Sequence, residues 1–215
     1  MTGPSIIWFR RDLRLADNPA LVAAARDRPV VALFVLDETL HRPAGANRRA
    51  FLRWSLDALD DATGGALVVR WGDPAQVVPE VAAETGAQEV LAATDYGPYG
   101  ARRDERVAEV LAAAGRRLVA VDSPYAVPPG SLTTGAGTPF KVFTPYYRAW
   151  RAVPPTMPLP EPDVEWVTGV PSDELPPAPT VTATLPPAGE DAAMATLDRF
   201  LADGIDDYDD GRDRL

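Results

Sequence analysis

The stretch SIIWFRRDLRLADNPAL, Ser5–Leu21, contains the unit that decides the fold. The short, continuous apolar run at its start predicts a β-strand buried on both faces. Asp17 or Asn18, followed by Pro19, predicts the start of a helix, because a capping side chain before a proline favours helix initiation. The loop between them carries three arginines and no glycine. It lacks the G-x-G-x-x-G turn whose amides bind a pyrophosphate, so we expect it to serve another purpose.

The same strand-then-helix pattern recurs as far as Val121. Stripes of apolar residues at helical spacing separate the strands, and Pro79 inside the third helical pattern should kink that helix or delay its start. This alternation predicts a doubly wound, Rossmann-like α/β fold, with a five-stranded parallel sheet of strand order 3-2-1-4-5 and helices on both faces. The predicted strands are Ser5–Phe9, Val30–Leu36, Ala66–Arg70, Val90–Thr94 and Arg117–Val121.

Composition narrows the class of protein. The net charge of -10 argues against a surface that binds polyanions in general, although residues 190–215 alone contribute nine acidic and three basic groups. The chain has no cysteine, no secretory signal pattern and no apolar run long enough to cross a bilayer. We therefore expect a cytoplasmic protein without membrane contact. His41 is the only histidine, which argues against a metal site or a histidine-based catalytic triad.

The regular pattern stops near Asp122. Eleven prolines lie between Pro154 and Pro187, which is the composition of an extended connector rather than of a packed core. A helical stripe then begins at Glu190 and continues through Leu201. A single amphipathic helix cannot bury its own apolar face, so we interpret it as the first element of a second domain.

The carboxyl ends of the predicted strands mark the expected ligand site. In a doubly wound sheet, ligands bind beyond these ends, where the strand order reverses. The rule selects three loops, Arg10–Asp12, Asp37–Arg49 and Asp95–Arg103. Their polar groups, with Tyr96 and Tyr99 beside glycines, suit a planar ring with polar edges better than a phosphate chain. The alternative is that these charges pair with one another and cap helices.

Six motifs resemble the DNA photolyase and cryptochrome family. The first is the opening stretch from Trp8 to Leu21, and the others follow in the family's order over nearly the whole chain. On these motifs the chain is identified as a member of this family. The remaining five are ALFVLD at Ala32–Asp37, GDP at Gly72–Pro74, PYGARRD at Pro98–Asp104, PFKVFTPYYRAW at Pro139–Trp150 and YDDGRD at Tyr208–Asp213.

The resemblance implies a domain organisation. Residues 1–130 resemble the antenna-chromophore-binding α/β domain of the family. Residues 131–189 resemble an aromatic helix with the proline-rich interdomain linker, and residues 190–215 the first helix of an FAD-binding helical domain that is otherwise absent.

The resemblance also implies a function. The chain would be the light-harvesting domain of a monomeric deoxyribodipyrimidine photolyase, a carbon–carbon lyase that repairs cyclobutane pyrimidine dimers in UV-damaged DNA with energy passed to FAD. It would hold no catalytic residue and would be inactive alone. The alternatives are the antenna domain of a cryptochrome photoreceptor and a stand-alone flavin- or nucleotide-binding module.

Ligands and site residues follow from the same resemblance. Folate-binding members have a glutamate where this chain has Gly100, and members that bind 8-hydroxy-5-deazaflavin have an aspartate at the position of Asp95. We therefore expect 8-hydroxy-5-deazaflavin as the antenna, FMN or FAD second and methenyltetrahydrofolate third. Tyr208 would lie near FAD and Arg212 would bind a DNA phosphate. The residues expected at the antenna site are Arg10, Arg11, Phe34, Leu36, Asp37, Arg48, Asp95, Tyr99 and Gly100.

Overall fold

The computed structural model describes residues 3–122 and 124–212 and has a five-stranded parallel sheet at its centre. The strands lie in the order β3-β2-β1-β4-β5, which confirms the order predicted from the sequence. The strand order reverses between β1 and β4, because the chain extends the sheet first to one side of β1 and then to the other. The strands are β1 Ser5–Phe9, β2 Val30–Leu36, β3 Leu67–Trp71, β4 Glu89–Ala93 and β5 Arg117–Val121.

Helices connect the strands and continue beyond the sheet. The side chains of Asn18 and Asp73 cap α1 and α4 by accepting hydrogen bonds from amides of the first turn. Helix α4 begins at Pro74, so Pro79 does not delay its start. Within the described residues, no helix is both long and apolar enough to cross a membrane. The helices are α1 Pro19–Ala24, α2 Glu38–His41, α3 Ala46–Ala62, α4 Pro74–Thr85, α5 Pro98–Ala113, α6 Phe143–Arg151, α7 Glu190–Arg199 and α8 Tyr208–Gly211, with a π-helical turn at Phe200–Gly204.

Apolar side chains form a packed layer on each face of the sheet. Alternate residues of β1 point to opposite faces. Ile6 and Trp8 pack with side chains of α4 and α5, whereas Ile7 and Phe9 pack with side chains of α1 and α3. Burial of each such side chain contributes about 1.5–3 kcal/mol to the stability of the folded state. Helices therefore cover both faces of the sheet, as predicted.

Strand β5 differs from the expectation of strands buried on both faces. Strands β1 and β2 are buried along their whole length, whereas Arg117 and Ala120 of β5 are exposed and its other residues are half-buried. Among the described strands β5 pairs only with β4, so it lies at an edge and has fewer neighbours. A short apolar run therefore indicates a strand without indicating how central it is.

The proline-rich segment, residues 154–187, is extended. All of these residues are described, and they form no helix or strand apart from an isolated bridge at Trp166. The segment runs beside β3, the edge strand opposite β5. Side chains occupy the three amides that β3 directs away from β2. The Leu67 amide donates to the side chain of Asp60 in α3 (3.1 Å). The Val69 amide donates to the side chain of Ser172 and the Trp71 amide to that of Asp173 (2.9 Å each), and both acceptors lie in the proline-rich segment.

The loop after β1 anchors two distant segments. Glu190, the first residue of α7, accepts hydrogen bonds from the amides of Leu15 (2.7 Å) and Ala16 (3.1 Å). Asp17 donates its amide to the carbonyl of Leu159 (2.9 Å), and its carboxylate accepts from the amide of Leu159 (3.1 Å). This loop, which lacks a phosphate-binding turn, thus fixes both the proline-rich segment and the start of α7 to the sheet.

Candidate functional site

A cavity of about 440 Å³ opens at the carboxyl ends of β1, β2 and β4, beside the reversal of strand order. Sites for small molecules have volumes of roughly 300–1,000 Å³, so the cavity is large enough for an aromatic ligand. It brings together all nine residues that the sequence analysis placed at the antenna site. They are Arg10, Arg11, Phe34, Leu36, Asp37, Arg48, Asp95, Tyr99 and Gly100.

Asp95 is held in place at the wall formed by the β4 loop. Its Oδ1 accepts a hydrogen bond from the amide of Gly97 (3.0 Å), and its Oδ2 lies 3.3 Å from the guanidinium of Arg103. Arg11 approaches the same carboxylate to 3.8 Å with a side chain that is 66% exposed. The carboxylate therefore has hydrogen-bond partners in Gly97 and Arg103 within the wall, and a more distant, solvent-exposed partner in Arg11.

Gly100 is required because the Asp95 carboxylate occupies the space beside its Cα. A Cβ placed on Gly100 would overlap the carboxyl carbon and both oxygens of Asp95. A side chain at position 100 and the observed position of Asp95 therefore exclude each other. Asp95 and Gly100, on which the expected choice of antenna chromophore depends, are thus linked by a single steric constraint.

Arg10 and Arg103 form a buried ionic network behind the cavity. Arg10 lies 2.6 Å from both oxygens of Asp104, and Arg103 lies 2.9 Å from one of them. The two guanidinium carbons lie 4.8 and 5.0 Å from the centre of the Trp8 ring, within cation–π distance. Burial lowers the pKa of Arg10, and the neighbouring Asp104 opposes that effect. The alternative interpretation, that charges at the strand ends pair with one another, therefore holds for Arg10.

Asp37 and Tyr99 connect two walls of the cavity. Asp37 caps α2 by accepting from the amide of Thr39 (2.9 Å), and its second oxygen accepts from the hydroxyl of Tyr99. Burial, and then this hydrogen bond, raise the pKa of Tyr99 above its usual value. The Tyr99 hydroxyl therefore remains protonated near neutral pH and joins the β2 loop to α5.

The remainder of the lining combines apolar surface with a free cation. Phe34 and Leu36, at the end of β2, are buried and supply apolar contact area. Within residues 3–122 and 124–212, the side chain of Arg48 forms no ion pair or hydrogen bond, and it is exposed to the cavity. An apolar cavity with a few fixed polar groups is suited to an aromatic ligand with polar edges.

The lining also includes residues that were not assigned to the site from the sequence, among them the aromatic and charged side chains of Trp8, His41, Arg49 and Arg103. Trp8 and Arg103 belong to the family motifs, but the position of their side chains in the cavity wall depends on tertiary packing, which one sequence does not show. His41 was weighed only as a metal ligand or catalytic base. His41 could have been assigned to the cavity from its position in the segment after β2, because the rule that ligands bind beyond strand ends selects that segment.

Tyr208 and Arg212 lie outside the lining of this cavity. Tyr208 begins α8 and contacts the ring of Phe200 edge-on, with 6.0 Å between ring centres. Arg212 is exposed and lies 3.2 Å from Asp209. Their expected contacts with FAD and with a DNA phosphate stay predictions.

Comparison with known proteins identifies the family. A sequence profile described as DNA photolyase matches residues 5–163, which is more than half of the chain. The chain belongs to the DNA photolyase family. One photolyase relative, the deoxyribodipyrimidine photo-lyase of Streptomyces griseus, is 40% identical over an alignment that covers 98% of this chain and 49% of the relative. The chain spans about half the length of the curated photolyases that it matches.

Solved photolyase structures share this fold. A class III photolyase from Agrobacterium tumefaciens superposes with a TM-score of 0.82 at 29% identity, covering 99% of this chain and 47% of that one. An archaeal photolyase from Sulfolobus tokodaii, solved with two FAD molecules, gives a TM-score of 0.68 at 26% identity, covering 77% of this chain and 38% of that one. The α/β sheet and its helices therefore form the N-terminal domain of a photolyase-family protein.

Proposed function

We propose that the cavity binds a light-harvesting chromophore and that the chain is the antenna part of a DNA photolyase. The observation that carries the proposal is the convergence of all nine expected residues on one cavity of about 440 Å³. Apolar side chains from β2 would contact the faces of an aromatic ring, and Arg11 and Arg48 would contact its polar edges. DNA repair is favoured over photoreception because the 40%-identical relative is a photo-lyase.

The favoured chromophore is 8-hydroxy-5-deazaflavin, with FMN or FAD second and methenyltetrahydrofolate third. Asp95 supports the order, since its fixed carboxylate is an acceptor for a donor on the ring or its ribityl chain. Gly100 supports it as well, because a folate-type glutamate there would displace Asp95. The Sulfolobus tokodaii photolyase was solved with two FAD molecules, which implied a novel light-harvesting cofactor, and this keeps flavins as the next candidates.

The proposed role in repair depends on a second domain. When bound, the chromophore would supply absorption of blue or near-UV light and excitation energy for FAD. Glu190 would hold the first helix of the FAD-binding domain against the antenna domain through its bonds to Leu15 and Ala16. Tyr208 would then lie near FAD and Arg212 near a phosphate of UV-damaged DNA, as the family resemblance implies.

Titration with chromophores tests the proposal. We expect 8-hydroxy-5-deazaflavin to bind more tightly than FMN, and FMN more tightly than the folate. Asp95→Asn keeps an acceptor oxygen but removes its charge. A hydrogen bond to a charged group contributes about 1.5–3 kcal/mol and a neutral one about 0.5–1.5 kcal/mol, so this change should weaken deazaflavin binding roughly tenfold. Asp27→Asn, a matched change outside the cavity lining at an exposed position, should leave binding unchanged. Tightest binding of the folate, or equal deazaflavin affinity in Asp95→Asn, would contradict the assignment.

The 215-residue chain alone should not repair DNA. It should bind no stoichiometric FAD, and its net charge of -10 should keep its affinity for DNA weak at physiological salt. A light-dependent assay on DNA containing cyclobutane dimers measures this, with the full-length Streptomyces griseus enzyme as the positive control. Measurable turnover by the isolated chain would contradict the proposal that repair requires the FAD-binding domain.

A further inference from the structure

Two buried nitrogen atoms in the cavity wall have no hydrogen-bond partner within the described residues. They are Nδ1 of His41, at the end of α2, and Nε of Arg49, in the first turn of α3. A buried polar atom without a partner loses its hydrogen bonds to water without replacement, which destabilises the folded chain. Two such atoms at neighbouring positions of a ligand cavity indicate a group that the ligand supplies.

Both residues lie where the main cavity meets a smaller one. The smaller cavity, of about 80 Å³, is also lined by His41 and Arg49 and is closed by Leu175 and the prolines that follow it. The ring of His41 packs edge-on against Trp71, with 5.3 Å between ring centres, which fixes its orientation. A ligand ring in the main cavity could therefore extend a tail toward this junction.

The junction carries uncompensated positive charge. Elsewhere in the lining, Arg10 and Arg103 are neutralised by Asp104 and Asp95. In the described part of the chain, neither Arg48 nor Arg49 has a carboxylate within ion-pair distance. Burial and the charge of Arg49 lower the pKa of His41, so its ring is neutral near pH 7 and offers a single N–H.

We propose that this junction, formed by His41, Arg48 and Arg49, is a phosphate-binding subsite for the tail of the chromophore. The inference rests on the proposed antenna function and adds the chemical class of the ligand's second half. The ligand would be a flavin or 5-deazaflavin whose ribityl chain ends in a phosphate ester. Arg49 would donate from its guanidinium to phosphate oxygens, His41 would donate one N–H, and Arg48 would contribute from the solvent side.

Riboflavin and FMN test the inference directly, because they differ only in the terminal phosphate. The purified chain is titrated with each by fluorescence quenching. FMN should bind about ten- to hundredfold more tightly than riboflavin. Arg49→Met keeps the apolar stem and removes the donors, so it should reduce that ratio to near one by weakening FMN binding alone. His41→Phe preserves the ring against Trp71 and should reduce the ratio about three- to tenfold.

Arg42→Met is the matched control. Arg42 follows His41 directly, is exposed, pairs with Glu38 at 3.5 Å and does not line the cavity. Its removal should leave the ratio unchanged, which separates direct donation from loss of nearby charge. Equal affinity of the parent chain for FMN and riboflavin would overturn the inference while leaving the antenna proposal intact. This measurement uses the unsubstituted chain, so it does not depend on whether a variant folds. Retention of the ratio in Arg49→Met would overturn the assignment to this junction. Failure of 8-hydroxy-5-deazaflavin, FMN, FAD and methenyltetrahydrofolate to bind would overturn the antenna proposal itself.

Discussion

Replacing Gly100 with alanine is expected to destabilise the domain by about 2–4 kcal/mol and to weaken chromophore binding roughly ten- to hundredfold. The added Cβ would displace the Asp95 carboxylate from a wall in which only 10% of that side chain is exposed. The carboxylate would lose the Gly97 amide, and Arg103 would lose one of its two acidic partners. Urea denaturation followed by circular dichroism measures the loss.

Two controls separate this steric effect from the general effect of alanine. Gly135→Ala introduces a Cβ with no atom within 4 Å and should change the free energy of unfolding by less than about 0.5 kcal/mol. In the background of Asp95→Ala the overlap with the carboxylate is gone, so Gly100→Ala should then be nearly neutral. If it costs as much there as in the parent chain, the explanation through Asp95 is wrong.

Arg103→Met should be the most destabilising substitution of a charged residue, at about 3–5 kcal/mol. Arg103 is 7% exposed, pairs with Asp95 and Asp104, and lies against the ring of Trp8. Its removal leaves Asp95 in the wall without its nearest cation. Methionine fills much of the same volume, so lost charge rather than a cavity should dominate the change measured by urea denaturation.

Arg102→Met is the control for that prediction. Arg102 is the preceding residue of α5, is exposed, and has no ion pair among the described residues, so its loss should change stability by less than about 0.5 kcal/mol. The exposed Arg106, which pairs with Asp73, offers a second comparison from the next turn. Similar losses at positions 102 and 103 would show that the buried network does not stabilise the wall.

The fold could be predicted largely from local patterns. Strands and helix starts depend on nearby residues, so the sequence predicted the apolar run of β1 and the start of α1, with the cap at Asp17 or Asn18. The exposure of β5 depends on how many neighbours a strand has, which its own sequence does not encode. The short helix α2 was also missed, because four residues carry too little periodicity to identify.

The site could be located from the sequence more readily than its bonding. The rule that ligands lie beyond strand ends selected the loops that form the cavity. It could not show that Asp95 fits only because position 100 is glycine, since this depends on packing across a turn. It also could not show that His41 and Arg49 are left without partners, because that requires every neighbour to be placed.

The pairing along β3 has a consequence for how the protein behaves in a crowded solution. An unpaired strand edge is a template on which another molecule can add a strand, and this is a common route to aggregation. Here Asp60, Ser172 and Asp173 occupy the three outward amides of β3, so no row of free donors faces outward there. The prolines in the covering segment have no amide hydrogen, so they cannot donate hydrogen bonds to a further strand. The same segment that links the sheet to α7 thus also prevents another copy of the chain from adding a strand at the β3 edge.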